Sequence, residues 1–165
     1  MNKRPFGKIT AVVLWLTVIL ACTPTGGADW ATVKRITDGD TVLLSDGRRV
    51  RYIGIDTPEI DHEQGRAEVF GREARLANRR LVADRKIRLE VDSESQDRYG
   101  RLLAYVYLPD GTMVNAELLR LGLARVLYKR PNISRFSDLL AVQREAMKAN
   151  RGIWQEMDSG GPSVV

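Results

Sequence analysis

Apolar positions change their period several times along the chain, and each change marks an element. Trp30 to Ile36 alternates apolar and polar residues, the pattern of a half-buried strand. Asp38-Gly39 reads as a turn, and Thr41 to Leu44 is apolar and β-branched. Ser45-Asp46-Gly47 is a hairpin signal, after which Arg48 to Ile55 returns with Val50, Tyr52 and Gly54 set against Arg49, Arg51 and Ile53. A glycine inside that run predicts a bulge or a barrel bend. Thr57-Pro58 ends it, because proline withholds a ladder donor. A polar stretch, Ile60 to Phe70, leads to a helix over Arg72 to Ala83 whose stripe is Ala74, Leu76, Ala77, Leu81 and Val82. Strands are predicted over Ile87 to Val91 and Arg101 to Leu108, then a turn at Pro109-Asp110-Gly111. Val114 to Leu121 predicts a short helix closed by Gly122, and Leu123 to Tyr128 a short strand. The last helix is predicted over Arg135 to Asn150, capped by Ser134. Its stripe of Phe136, Leu139, Leu140, Gln143, Ala146 and Met147 falls at i, i+3, i+4, i+7.

About five strands with helices inserted late predict class α+β, a small five-stranded closed barrel of the OB type carrying three helices. The barrel domain is expected over 31–155, followed by a tail at 156–165. The first residues fall outside this scheme. Lys3, Arg4 and Lys8 precede a 13-residue apolar stretch, Ile9 to Ala21, which is short for a membrane span and fits an export signal over 1–21. Ile19-Leu20-Ala21-Cys22 resembles the lipobox of bacterial lipoproteins, which implies lipidation of Cys22 and a membrane anchor. Residues 22–30, small and polar, read as the linker. The expected location is the cell envelope, with cleavage near Ala28 and secretion as the alternative. A core helix is the remaining reading of the apolar run, although it shows no polar face.

Charge adds little in bulk and more in detail. The chain carries 26 basic and 21 acidic residues, and without Lys3, Arg4 and Lys8 the balance falls from +5 to +2. That is weak support for a polyanionic partner. The arginines are clustered, however: Arg48, Arg49 and Arg51; Arg79, Arg80, Arg85 and Lys86; Lys129, Arg130 and Arg135. Each cluster reads either as a solvated face or as a binding surface. A single cysteine excludes an internal disulfide framework. One histidine and one cysteine cannot supply the usual zinc ligands. The segment starting at Asp38 is no EF-hand, since its twelfth position is Arg49 instead of a bidentate glutamate.

The candidate chemistry lies between Arg35 and Glu59, where Asp40, Arg51, Asp56 and Glu59 put three carboxylates and a guanidinium on neighbouring strands and the loop after them. Asp97-Arg98-Tyr99-Gly100-Arg101 brings a second guanidinium. Hard oxygen ligands suit Ca²⁺, a carboxylate can take a proton from water, and arginine forks fit phosphate. Taken singly, each residue also has a plain structural reading: Asp38, Gly39 and Asp40 can build a turn, and exposed arginines can pair with surface acids. His62 reads as a solvated loop residue.

DGDTVLL, RYIGIDTPE, DRYGRLLAYVY and MVNAELLRLGLARV resemble the thermonuclease family, the staphylococcal-nuclease-like enzymes, over roughly Val33 to Trp154. The resemblance implies an OB barrel with three helices and a Ca²⁺-dependent endonuclease acting on DNA and RNA, leaving 3′-phosphates. By position it implies that Asp40, Asp56 and the Thr57 carbonyl hold the metal. It puts the general base at Glu59 and the phosphate-binding guanidinia at Arg51 and Arg101. Tyr128 matches a family tyrosine that packs near the nucleotide. Tyr99, beside Arg101, and Lys129 complete the expected substrate contacts. A second family tyrosine, two positions beyond Tyr128, is absent, and Lys129-Arg130 stand there with one residue fewer. A monomer is expected. The competing reading is a non-catalytic OB module that binds nucleic acid or a protein partner.

Overall fold

The computed structural model describes residues 29–61 and 66–157. The expected export signal, Cys22, linker residues 22–28, His62 and the tail from Asp158 lie outside the described residues. Five strands close a barrel: β1 (Asp29–Asp38), β2 (Thr41–Leu44), β3 (Arg49–Tyr52), β7 (Lys86–Glu90) and β8 (Leu102–Tyr107), in the order β1-β2-β3-β8-β7. All neighbours are antiparallel except β3 and β8, which run parallel with Val50 opposite Leu102 and Tyr52 opposite Ala104. The predicted α+β barrel with three helices is therefore the observed architecture.

Inward positions follow the period of two. Val33, Val42, Leu44, Val50, Tyr52, Ile87, Leu89, Ala104 and Val106 are buried and form one continuous core. β1 serves two partners. Asp29 to Thr32 pair with β7, and Val33 to Asp38 pair with β2. A bulge between Val33 and Arg35 bends the strand, as the change of partner requires. It also breaks the alternation, so Lys34 and Arg35 both face solvent between buried Val33 and Ile36. Asp29 and Trp30, expected as the end of the linker, already belong to β1. Asp29 pairs with Leu89 across the ladder and its carboxylate takes the Arg48 guanidinium. At the other end Glu156 and Met157, expected in the tail, complete a short 3-10 helix, Gly152–Met157.

The strand expected to run to Ile55 stops at Tyr52. Gly54 adopts a left-handed φ of 75°, and a Cβ there would come 2.7 Å from Leu139 Cδ1, so only glycine fits. Ile55–Asp56 then forms a separate short strand, β4, antiparallel to β9 (Arg125–Val126), which is all that remains of the strand expected over Leu123 to Tyr128. The polar stretch after Glu59 holds a two-stranded ribbon, β5 (Ile60–Asp61) with β6 (Arg66–Ala67).

Helix α1 (Gly71–Val82) buries Ala74, Ala77, Asn78 and Val82 against the barrel, whereas Leu76 of the expected stripe is 51% exposed. Buried Asn78 accepts a hydrogen bond from the Tyr52 hydroxyl (2.9 Å) and donates to the Asp38 carbonyl (3.2 Å). Helix α2 (Val114–Arg120) seats Val114, Leu118 and Leu119 in the core. The fully buried Asn115 accepts from the Val106 N–H and donates to the Ile53 carbonyl, each at 2.9 Å. Helix α3 (Phe136–Lys148) buries Leu139 and Ala146.

Ser134 does not cap α3. The flanking residue is Arg135, whose side chain makes no cap bond. Asp92 instead fixes the chain ahead of the helix: its Oδ2 accepts the Ser134 N–H (3.0 Å) and the Tyr105 hydroxyl (3.1 Å). Burial pushes the Asp92 carboxyl up, but the hydrogen bonds from Ser134, Ser93 and Tyr105 outweigh it and hold it below the usual range. A depressed folded-state value contributes stability above the unfolded pKa of about 3.9 and loses it as pH falls through the folded value. Asp92→Ala is therefore expected to lower urea-unfolding stability at pH 7 and to shrink the drop between pH 5 and pH 2. An unchanged acid limb in the variant would remove Asp92 as its source.

After α3 the backbone crosses itself. Gly122 O accepts the Ile153 N–H at 2.8 Å, and a Cβ on either Gly122 or Gly152 would strike the other segment's backbone. Both glycines have positive φ, 70° and 55°. The crossing brings Ile153 and Trp154 back onto the body of the protein, where both are buried.

Candidate active site

Three elements converge on one rim of the barrel. The β1–β2 turn delivers Asp38 and Asp40, β3 delivers Arg51, and β4 with the loop after it delivers Asp56, Thr57 and Glu59. The convergence depends on a close approach. A Cβ on Gly39 would lie 2.5 Å from Thr57 Oγ1 and 2.9 Å from Ala74 Cβ, so the turn can pass beneath Thr57 only without a side chain.

Asp40 is 2% exposed and held on every side. Its Oδ2 accepts the Thr57 N–H at 3.0 Å, and its Oδ1 accepts the Thr41 hydroxyl at 3.1 Å and pairs with Arg51 Nη1. The other terminal nitrogen, Arg51 Nη2, donates to Asp56 Oδ1 at 2.6 Å. One guanidinium therefore spans the two carboxylates. Asp40 is rigid and dry; Asp56, 53% exposed at its side chain, faces solvent.

Glu59 remains open to solvent, yet its carboxyl is pushed above the usual range. Partial desolvation comes first. The Asp38 carboxylate follows, by charge and by a hydrogen bond, and Asp56 adds to it, while Arg51 opposes them. Four acids, Asp38, Asp40, Asp56 and Glu59, thus share one arginine. The excess negative charge is felt as resistance of Glu59 to ionisation. Asp38 is the member that residue-by-residue reading leaves as a turn residue. The signal for it is the second acid of Asp38-Gly39-Asp40, where a simple turn needs only one.

Arg101 belongs to a separate turn. Asp97 Oδ1 accepts the N–H groups of Tyr99 (2.9 Å) and Arg101 (3.0 Å), and Asp97 Oδ2 accepts Arg101 Nε at 2.7 Å. Burial pushes the Asp97 carboxyl up, but the bonds from Arg101 and Tyr99 bring it below the usual range. Arg101 keeps both terminal nitrogens free of described acceptors. Arg51 and Arg101 line one cleft of about 140 Å³ with Asp97, Lys129, Arg130 and Asn132. Asp97 is a positioning residue whose only sequence signal is its i, i+4 spacing to Arg101.

The expected substrate contacts lie around this cleft. Tyr99 is 58% exposed, and its ring has the Arg101 guanidinium 5.6 Å and the Arg98 guanidinium 4.8 Å from its centroid. Tyr128 is equally open. Its edge packs on Phe136 at 4.9 Å between centroids and its hydroxyl accepts from Arg130 Nε at 2.9 Å. Lys129 reaches the cleft wall, where the absent second tyrosine leaves cationic residues in place of a ring.

Among the described residues, no three His, Cys, Asp or Glu side chains are grouped closely enough to hold a metal by themselves. Asp40, Asp56 and the Thr57 carbonyl are nonetheless hard oxygen donors of the kind Ca²⁺ takes, and the local surplus of acid favours a cation. The residues present fit such an ion if water or a phosphate oxygen completes its shell.

Fold and site together define an OB-type barrel that gathers carboxylates and arginines over one rim. The family model described as staphylococcal nuclease homologue matches residues 49–156. The chain is 39% identical over 125 residues to a thermonuclease of Staphylococcus hyicus, covering 74% of this chain and 73% of the relative. It is 40% identical over 126 residues to a thermonuclease of Staphylococcus intermedius, covering 74% of each. It is also 38% identical over 130 residues to the endonuclease YncB of Bacillus subtilis, covering 76% of this chain and 61% of that relative. The chain belongs to the staphylococcal nuclease homologue family.

Proposed function

We propose that the protein is a Ca²⁺-dependent endonuclease that hydrolyses phosphodiester bonds of DNA and RNA by in-line attack of water, leaving 3′-phosphates. The observation that carries this reading is the pair of arginines lining one cleft, Arg51 and Arg101, with Arg51 in electrostatic reach of the Glu59 carboxyl and bound to Asp40 and Asp56.

Asp40, Asp56 and the Thr57 carbonyl would hold the ion, which when bound supplies Lewis-acid polarisation of the phosphate. Glu59 takes the proton of the attacking water. Its elevated basicity brings it closer to the working pH than an ordinary glutamate, which favours proton abstraction. Arg51 is held by Asp40 and Asp56, and Arg101 by Asp97, so both forks are oriented before substrate arrives. They donate to non-bridging phosphate oxygens and hold them more strongly as negative charge accumulates at phosphorus, which is what lowers a barrier. Tyr99 and Tyr128 offer ring faces to bases, worth about 1–3 kcal/mol per stacked base. Lys129 offers a point charge to the backbone.

Chelation is expected to abolish cleavage of single-stranded DNA and RNA, and millimolar Ca²⁺ to restore it. Undiminished cleavage in EDTA would overturn the metal assignment, and intact oligonucleotide under all conditions would favour the non-catalytic binding module. Anchoring by a lipid on Cys22 is part of the same proposal, motivated by Ile19-Leu20-Ala21-Cys22 and the preceding apolar run. Recovery of the mature protein in the soluble fraction without detergent would replace it with simple secretion.

A further inference from the structure

A cavity of about 540 Å³ lies between α1 and β1 and plays no part in the chemistry above. Arg72, Arg75 and Arg79 line one wall, spaced i, i+3, i+7 on one face of the helix. Lys34 and Arg35 line the other. Consecutive residues of a regular strand point to opposite faces. Here the bulge after Val33 turns both cations outward into the groove. Among the described residues Asp84 is the one acid in the lining, and Lys34, Arg35, Arg75 and Arg79 make no ion pair with any described carboxylate. Those four cations, facing one another across a concavity, form a trough of positive potential, unlike the same charges spread over a convex face. Half-exposed Leu76 gives it an apolar patch against which a base can rest.

One end of the groove adjoins the reaction centre. Ile36 and Ile60 line it, two residues before Asp38 and one after Glu59. From there the helical arginines extend about 10 Å along α1, the axial span of about three nucleotides at ~3.4 Å each. We propose that this groove is a second nucleic-acid site, separate from the Arg51–Arg101 cleft, which holds the backbone of the strand flanking the scissile phosphate. The proposal rests on the nuclease reading and deepens it: the enzyme grips a long polyanion on both sides of the bond it cuts. Its bulge-built wall makes it a backbone tracker without base readout, so binding depends on length and salt more than on sequence.

The test compares wild type with the triple variant Lys34→Ala/Arg75→Ala/Arg79→Ala. Binding of a 30-nucleotide single strand is measured in EDTA, and cleavage of a dinucleotide too short to enter the groove is measured in Ca²⁺. The triple variant is expected to bind the 30-mer at least about tenfold more weakly at 50 mM salt, with the slope of log K on log salt reduced by about 2. Its kcat and KM on the dinucleotide should stay at the wild-type values. Arg75→Lys/Arg79→Lys, which keeps the charge, should keep the slope. Unchanged 30-mer affinity and slope in the triple variant would overturn the proposal. So would loss of binding to phosphatidylglycerol vesicles with 30-mer binding intact, which would assign the groove to a membrane surface. Groove-dependent binding by a wild-type protein that cleaves nothing would leave the groove standing and remove the nuclease reading instead.

Discussion

Glu59→Gln is expected to lower kcat on DNA and RNA by about 10²–10⁴-fold, the usual contribution of a general base. Oligonucleotide affinity should hardly change. The amide keeps the size of the carboxyl and removes only its charge and its capacity to accept a proton. Because Glu59 is crowded by Asp38 and Asp56, loss of that charge relieves repulsion, so the variant should unfold at the same or a higher denaturant concentration than wild type. Lost turnover with undiminished stability separates a chemical role from a structural one. The pH profile supplies the second readout. A base works above its pKa, so wild-type kcat should fall as pH drops through the raised value, and this limb should vanish in Glu59→Gln. Asp38→Asn takes away the main charged neighbour that raises that value, and should move the limb to lower pH without abolishing activity. Near-normal turnover by Glu59→Gln would transfer the base to another group.

The largest loss of stability is expected at Asn115, a residue far from any exposed surface. Asn115→Ala leaves the Val106 N–H and the Ile53 carbonyl buried without partners. At about 1–3 kcal/mol for each unsatisfied group, the loss is about 2–6 kcal/mol, a large part of the roughly 5–15 kcal/mol that holds a domain folded. Ile53 lies between Arg51 and Asp56, so this bond also sets the path of the chain from barrel strand to acid loop. Activity should therefore fall at temperatures well below global unfolding. Urea titration measures the first effect. A midpoint within experimental scatter of wild type would show that solvent or a shifted backbone satisfies both groups.

Elements whose cause lies within a few residues were readable from the sequence. Alternation at Val33, Val42 and Val50 gave the strands, and the position of Gly54 gave a bend, which the structure makes with a left-handed residue. What escaped has distant causes. The chain just ahead of α3 is held by Asp92, 42 residues before Ser134, a partner that no local pattern announces. The parallel seam of β3 and β8, which brings Arg51 and Arg101 to one cleft, leaves no local mark, since strand partners are not written into either strand. Leu76 matched a helical stripe, yet it lies over the cationic groove instead of the core. The bulge after Val33 was equally hidden, because two adjacent cations look alike in a strand and in a loop. At the site, the acids of Asp38-Gly39-Asp40 could be named as candidates, but Asp38's effect on Glu59, 21 residues on, appears only once the β1–β2 turn and the loop after β4 are side by side.

The glycine crossing ties the acid rim to the segment that follows α3. Ile153 lines a small cleft with Asp56, Thr57 and Arg125, and Arg125 stands opposite Asp56 in the β4–β9 ladder with its guanidinium 5.7 Å from the Trp154 ring. A polypeptide cut short before Gly152 would carry every acid and arginine of the site, but would lack Ile153, which shares a cleft with Asp56, and Trp154, which lies beside Arg125. Such a product would be an incomplete tool: all the chemistry present, and nothing to hold it in register.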